Sequence, residues 1–259
     1  MGERLKDKVA LVTGAGSSGP GWGNGKATAV LFAREGARVC VIDINRDAVE
    51  ETAGIIRDEG GECLVDQVDV TDAEQVAAVV AKCVDHWGRV DILHNNVGIL
   101  DVGGPVDASL ESWERVVSVN LTSMFLTCKY VLPVMEAQGG GAIVNIASIA
   151  GIRYLGIPYV SYSATKGAVH NLSKNLAREW APHGVRVNVL VPGFFPAEQN
   201  RKVLTPDRVE AIMRHTPMDR FGDKEELVGA TLLLASDKAG NFLTGHEMVV
   251  DGGYSCMTI

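Results

Sequence analysis

The chain has 259 residues, 46% of them hydrophobic, which is enough apolar side chain to bury a core and unlike the composition of a disordered segment. Lys and Arg number 24 against 32 Asp and Glu, and the net charge of -8 repels a phosphate backbone, so nucleic acid is not an expected partner. The five cysteines, Cys40, Cys63, Cys83, Cys128 and Cys256, are scattered, with neither a Cys-x-x-Cys pair nor a disulfide framework, and fit a reducing cytoplasm.

The opening MGERLKDKVALVTG is polar and charged before a short apolar run, too short for a signal-peptide core or a bilayer span, and no membrane segment is expected elsewhere. Position 6 is Lys rather than Ser or Thr, which argues against N-myristoylation at Gly2. From there, β-branched runs at 9–13, 37–43, 62–69, 90–95, 142–148, 185–192 and 248–253 are predicted strands. Stretches at 26–35, 47–58, 73–87 and 163–180 repeat apolar residues three and four apart and are predicted helices. Strands alternating with helices imply right-handed crossovers. The expected fold is α/β: one Rossmann-like domain over 1–259, a doubly wound parallel seven-stranded sheet with helices on both faces. Residues 193–217 break the alternation and lie where open α/β sheets bind ligands, so they are the expected substrate lid.

The first strand runs into TGAGSSGPGWGNGKATAV, a glycine-rich turn that leads into a helix. Glycines let backbone N–H groups approach a pyrophosphate at the positive helix end, so a dinucleotide site is expected there. The second strand ends in Asp43, whose carboxylate suits both adenosine ribose hydroxyls and repels a 2′-phosphate, which favours NAD over NADP. Arg46, three residues on, is the competing attraction for that phosphate.

These residues resemble the short-chain dehydrogenase/reductase family, whose glycine motif is Thr-Gly-x3-Gly-x-Gly. Thr13, Gly14, Gly23 and Gly25 match it, with eight residues rather than three between the first two glycines. Aligning Gly23-Asn24-Gly25 continues the helix as the family does, and Gly19-Pro20-Gly21 is the rival alignment. Asp69-Val70 is similar to the pair beside adenine, and Asn95-Asn96-Val97-Gly98 resembles the Asn-Asn-Ala-Gly turn. Pro192-Gly193 resembles the turn flanking nicotinamide, and Val250-Asp251-Gly252-Gly253 the C-terminal signature. The resemblance implies cofactor contacts from Gly14, Ser17, Gly23, Asn24, Gly25, Asp43, Asp69, Val70, Asn95, Asn96, Pro192, Gly193 and Phe195. It also implies a homo-oligomer, most often a tetramer, for which Met124 to Met135 and the C-terminal YSCMTI supply apolar residues.

Tyr162 and Lys166 are spaced i, i+4, which puts phenol and ammonium on one helical face, and a nearby ammonium is expected to stabilise phenolate. Family resemblance assigns Tyr162 the proton exchange, Ser148 the hydrogen bond to the substrate oxygen, Lys166 the nicotinamide ribose and Asn120 a relay water. The implied activity is NAD-dependent interconversion of a secondary alcohol and a ketone. Ser148 and Tyr162 stand thirteen residues apart where twelve is commoner, and Ala197 replaces the family's usual Thr. The polar run Glu198-Gln199-Asn200-Arg201 looks like the lid of fructuronate/mannonate-type sugar-acid oxidoreductases. Gln199, Asn200, Arg201, Arg153 and Tyr159 are accordingly the candidates to hold a sugar or sugar acid. Against them, the apolar loop Ile152 to Tyr159 suits a hydrophobic cyclic alcohol or steroid. A catalytically silent dinucleotide-binding redox sensor is the alternative of another class. His94, His170, His183 and His246 lack ligand spacing, and no metal is expected.

Overall fold

A computed structural model describes residues 2–17, 19, 21–195 and 204–256. Seven strands form one sheet: β1 (Val9–Thr13), β2 (Arg38–Asp43), β3 (Cys63–Gln67), β4 (Ile92–Asn95), β5 (Gly141–Ile146), β6 (Val185–Pro192) and β7 (Glu247–Val250). Their order is β3-β2-β1-β4-β5-β6-β7 and every pairing is parallel. The chain winds outward from β1 toward β3, then returns to β4 on the other side. The strand order therefore reverses between β1 and β4, and the loops leaving their carboxyl ends part to leave a crevice.

The α-helices among the described residues are α1 (Asn24–Arg34), α2 (Arg46–Asp58), α3 (Ala73–Trp87), α4 (Leu110–Val117), α5 (Ser123–Ala137), α6 (Val160–Trp180), α7 (Pro206–His215) and α8 (Lys224–Ala235). Alternate residues of each strand serve opposite faces. Ala10 and Val12 pack with Val30, Phe32, Val49, Ile56 and Leu232 from α1, α2 and α8. Leu11 faces the other layer, with Val76, Val79, Val131, Met135 and Ala177 from α3, α5 and α6. Met135 is a core residue of this layer, Met124 is buried in a neighbouring cluster with Ala147, Ile149 and Val169, and Phe125 between them is half exposed.

Two segments differ from the sequence-based expectation. Residues 206–215, inside the expected irregular lid, form α7, which starts with Thr205 as N-cap, Pro206 in the first turn and Asp207 at the positive end. Residues 110–137 form one continuous helical run, with a π-helical turn over Ser118–Thr122 between α4 and α5. That run is long and apolar enough by length and composition to cross a membrane, but half of its most apolar window is buried within the fold.

Beside the crevice the adjacent strands β4 and β5 are tied to the helices that cover them by a polar chain. Thr127 Oγ1 bonds Asn95 Oδ1 at 2.8 Å, Asn95 Nδ2 donates to Asn145 Oδ1 at 2.9 Å, and Asn145 Nδ2 donates to Ser173 Oγ at 2.9 Å. All four residues are buried, so α5, β4, β5 and α6 are held in register by groups with no access to water. Asn145→Ala leaves Asn95 and Ser173 each short of a partner, and should cost about 2 kcal/mol or more. Urea unfolding measures this, and a cost below about 1 kcal/mol would show that the chain does not hold the layers together.

Candidate active site

At the carboxyl ends of β1 to β4 lies a cleft of about 1010 Å³. Gly14, Ser17, Gly23, Asn24 and Gly25 form its floor on one side, and Asp43, Asp69, Val70 and Asn96 line the rest. The enlarged first loop is a closed excursion. Ser17 Oγ donates to Gly21 O at 3.0 Å and accepts from Gly23 N at 2.9 Å, so the described ends of the enlarged loop are tied together. Gly23 is the N-cap of α1, so the helix begins at Asn24, where the Gly23-Asn24-Gly25 alignment continues it.

The cradle fits a pyrophosphate. No side chain caps α1, so its first amides are free to meet an anion at the positive end of the helix. A Cβ on Gly25 would stand 2.0 Å from Gly14 O and 2.6 Å from Asn96 Nδ2, so only glycine permits this approach of turn to helix. Asp43 Oδ2 accepts from Gly16 N at 3.0 Å and Oδ1 from Asn45 N at 2.9 Å, which fixes the carboxylate at the end of β2 with lone pairs to spare for a ribose diol. Arg46 is paired with Glu50 along the surface of α2 at 2.8 Å. Asp69 Oδ1 is held by Thr71 N at 2.9 Å and Thr71 Oγ1 at 2.7 Å, which presents Val70 to the cleft.

A smaller cavity of about 110 Å³ continues from this cleft, sharing Asn24, Asn96, Gly98, Phe195 and Leu204 with it. Ser148, Tyr162 and Lys166 line it together with Pro192 and Gly193, as the sequence places them. Tyr162 and Lys166 stand on the first turns of α6, and the Lys166 ammonium lies 5.7 Å from the Tyr162 ring centroid. Lys166 Nζ donates to Ile146 O at 2.8 Å, at the end of β5. Gly98 passes so close that a Cβ there would stand 3.1 Å from Lys166 Nζ.

The electrostatics differ from the sequence-based expectation for the phenol. Burial pushes Tyr162 above the ordinary tyrosine range, a hydrogen bond with Ser148 opposes that shift, and burial pulls Lys166 down to about 8. Desolvation disfavours both charges, and the ammonium hydrogen-bonds a carbonyl instead of the phenol. Tyr162 is therefore a protonated group at neutral pH in this state.

The structure places two expected contact residues, Asn95 and Arg153, away from the cavities, and it shows what the Asn120 side chain bonds. Asn95 does not line the cleft: its side chain points inward to Asn145 and Thr127, while its neighbour Asn96 faces the cleft and donates to Gly14 O at 3.1 Å. Asn120 sits fully buried in the π-helical turn, where its Nδ2 donates to Ile99 O at 2.9 Å and Thr165 Oγ1 at 3.1 Å, and its Oδ1 accepts from Ile99 N at 2.8 Å. Its side chain braces the loop after β4 against α6 and spends both N–H groups there. Arg153 is exposed, donates to Ile152 O at 3.2 Å and is not among the residues lining either cavity. Gln199, Asn200 and Arg201 lie outside the described residues. Tyr159 does line the smaller cavity, with its ring edge-on to Tyr162 at 5.5 Å. Phe194 and Leu204, from the expected lid segment, contribute apolar wall to it, and Leu100, which no motif marks, was missed by the sequence reading.

A family model described as Enoyl-(Acyl carrier protein) reductase matches residues 20–255. A 2,5-dichloro-2,5-cyclohexadiene-1,4-diol dehydrogenase of Sphingobium indicum is 38% identical over 255 residues, which cover 98% of this chain and 99% of the relative. An NAD-dependent glycerol dehydrogenase of Listeria innocua serovar 6a is 36% identical over 251 residues, covering 97% of this chain and 95% of the relative. The solved structure of a 7α-hydroxysteroid dehydrogenase, complexed with NADH and 7-oxo glycochenodeoxycholic acid, matches with a TM-score of 0.90 and 34% identity, over 96% of this chain and 95% of that one. The chain belongs to the short-chain dehydrogenase/reductase family, oxidoreductases that bind a nicotinamide cofactor.

The Lys166 charge has a consequence for stability. Its pKa falls from 10.5 in the unfolded chain to about 8 in the fold, so the unfolded state binds more protons between those values and stability rises with pH across that window. Below pH 8 the buried ammonium costs the fold its full penalty, about 3 kcal/mol. Lys166→Met should therefore make the unliganded protein more stable at pH 7 by roughly 2 kcal/mol, allowing for the lost bond to Ile146, and the gain should shrink toward pH 10. Urea unfolding at both pH values measures it. A variant less stable than wild type at pH 7 would contradict the burial account.

Proposed function

We propose that this protein is an NAD-dependent dehydrogenase/reductase that interconverts an apolar cyclic secondary alcohol and its ketone. The observation that carries the substrate class is the wall facing Ser148 and Tyr162: Leu100, Ile149, Leu155, Ile157, Tyr159 and Phe194. Such a surface rewards apolar ring atoms and leaves a polyhydroxylated ligand with unpaired hydroxyls. The cyclic-diol and steroid relatives support this reading, and the fixed Asp43 with Arg46 turned to Glu50 supports NAD.

The bound nicotinamide supplies hydride exchange at the carbinol carbon. Ser148 holds the substrate oxygen by hydrogen bond, and Tyr162 exchanges its proton with that oxygen: given to it in reduction, taken from it in oxidation. Lys166 anchors the nicotinamide ribose and supplies positive charge near the phenol when oxidation requires phenolate. Asn120 holds the loop carrying Ile99 against α6 through bonds to Ile99 and Thr165.

Steady-state kinetics on a matched panel tests the substrate class and the cofactor together. Each methylene of a cyclic alcohol taken into the cavity contributes about 0.8 kcal/mol, or about fourfold in turnover efficiency, so kcat/KM should climb with ring size until the cavity is full. NAD should exceed NADP by a margin worth roughly 2 kcal/mol, and Asp43→Ala should erase most of it. Activity confined to polyols or sugar acids would overturn the apolar assignment, and an equal response to both cofactors would overturn the role of Asp43.

A further inference from the structure

Trp22 belongs to the excursion that enlarges the first loop, and it lines the dinucleotide cleft with 37% of its surface exposed. Its indole lies between two ammonium groups: Lys26 Nζ is 5.5 Å and Lys224 Nζ 5.8 Å from the ring centroid. Lys26 is buried and paired with Glu51 at 2.5 Å, so its charge is already answered within the fold. Lys224 is different. It lines the cleft, and among the described residues no carboxylate forms an ion pair with it, whereas nearby Arg220 is held by Glu226 at 2.7 Å.

In the protein alone, Lys224 stands in an unfavourable place. It is the first residue of α8, where a cation meets the positive end of the helix; of the first-turn carboxylates Glu225 and Glu226, Glu226 is taken by Arg220 and by the Asp223 N–H. A ring contact orients an ammonium without neutralising it, unlike a carboxylate. The lining side chains Asp43, Asp69 and Asp223 are acidic; Arg115, on α4, is the other cation among the described lining residues. Lys224 is tied instead to Trp22, which immediately precedes Gly23, the N-cap of α1.

We propose that Lys224, steered by Trp22, is a further cofactor-binding residue: a latch that reaches from the start of α8 across the cleft and pairs with the pyrophosphate seated on α1. It rests on the assignment of the cleft to a nicotinamide dinucleotide. The penalty of a cation at the start of α8 is then offset by the anion, and the loop excursion has a task, which is to carry the ring that aims the ammonium.

Calorimetric titration with ADP-ribose and with adenosine separates the parts, because only the first carries the pyrophosphate. Lys224→Gln should weaken ADP-ribose roughly tenfold and flatten its salt dependence, with adenosine unchanged. Trp22→Leu should give a smaller loss of the same kind. The unliganded Lys224→Gln protein should melt at the wild-type Tm or above it, since a helix-end repulsion is removed. Unchanged ADP-ribose affinity overturns the latch, as does a lowered Tm with both ligands weakened alike, which marks a structural role. Failure of the wild type itself to bind ADP-ribose overturns the dinucleotide assignment beneath it.

Discussion

The proposed reacting groups depend on the register of α6 against β5. Lys166 reaches the carbonyl of Ile146 at the last residue of that strand, and Ser173, two turns further along the helix, receives Asn145 from the strand's interior. Both contacts are buried, so slipping the helix by one residue would leave an ammonium and an amide without partners in a medium that punishes each. That cost holds Tyr162 opposite Ser148. The same burial raises the phenol and lowers the ammonium, so the positional precision and the shifted proton affinities have a single origin.

The dinucleotide cleft depends on a different constraint, the reversal of strand order between β1 and β4. Parallel strands must be joined by crossovers, and crossovers leaving in opposite directions open a crevice at the strand ends. Glycine at position 25 lets the first turn close on α1, and the uncapped start of that helix faces the space left between. Here the usual turn carries an excursion pinned by Ser17, which brings Trp22 to the cleft without disturbing the Gly23 cap.

Much of this was legible in the sequence. The strands are short β-branched runs bounded by glycine and polar residues, and all seven are found within a few residues of where the pattern puts them. Tyr162 and Lys166 share one helix face as their spacing implies, and Ser148, expected there from the family resemblance, lines the same cavity. What was hidden has physical causes. Side chains of successive residues at a strand end point opposite ways, so a motif containing Asn95 and Asn96 marks a place without telling which of the two faces the ligand. Helix α5 is apolar on nearly every side and shows little period, while α7 was concealed by the proline and polar residues that in fact start it. Spacing places a phenol beside an ammonium but says nothing of desolvation, and the direction of the Tyr162 shift follows from burial alone. The exposure of Arg153 likewise belongs to the fold of its loop rather than to its neighbours in sequence.

The central claim is that the open cleft delivers a hydride into the cavity where Tyr162 and Ser148 meet. Its most direct test is isotopic: the protein is incubated with a cyclic ketone and NADH deuterated at the transferable C4 position, and the alcohol formed is examined by mass spectrometry and NMR. The account predicts one deuterium on the carbinol carbon, a single stereochemical configuration, and loss of the labelled product in Tyr162→Phe although that variant still binds NADH. Bound NADH with no deuterium transferred to any secondary-alcohol product would contradict it and would mark the chain as a dinucleotide-binding protein without this chemistry.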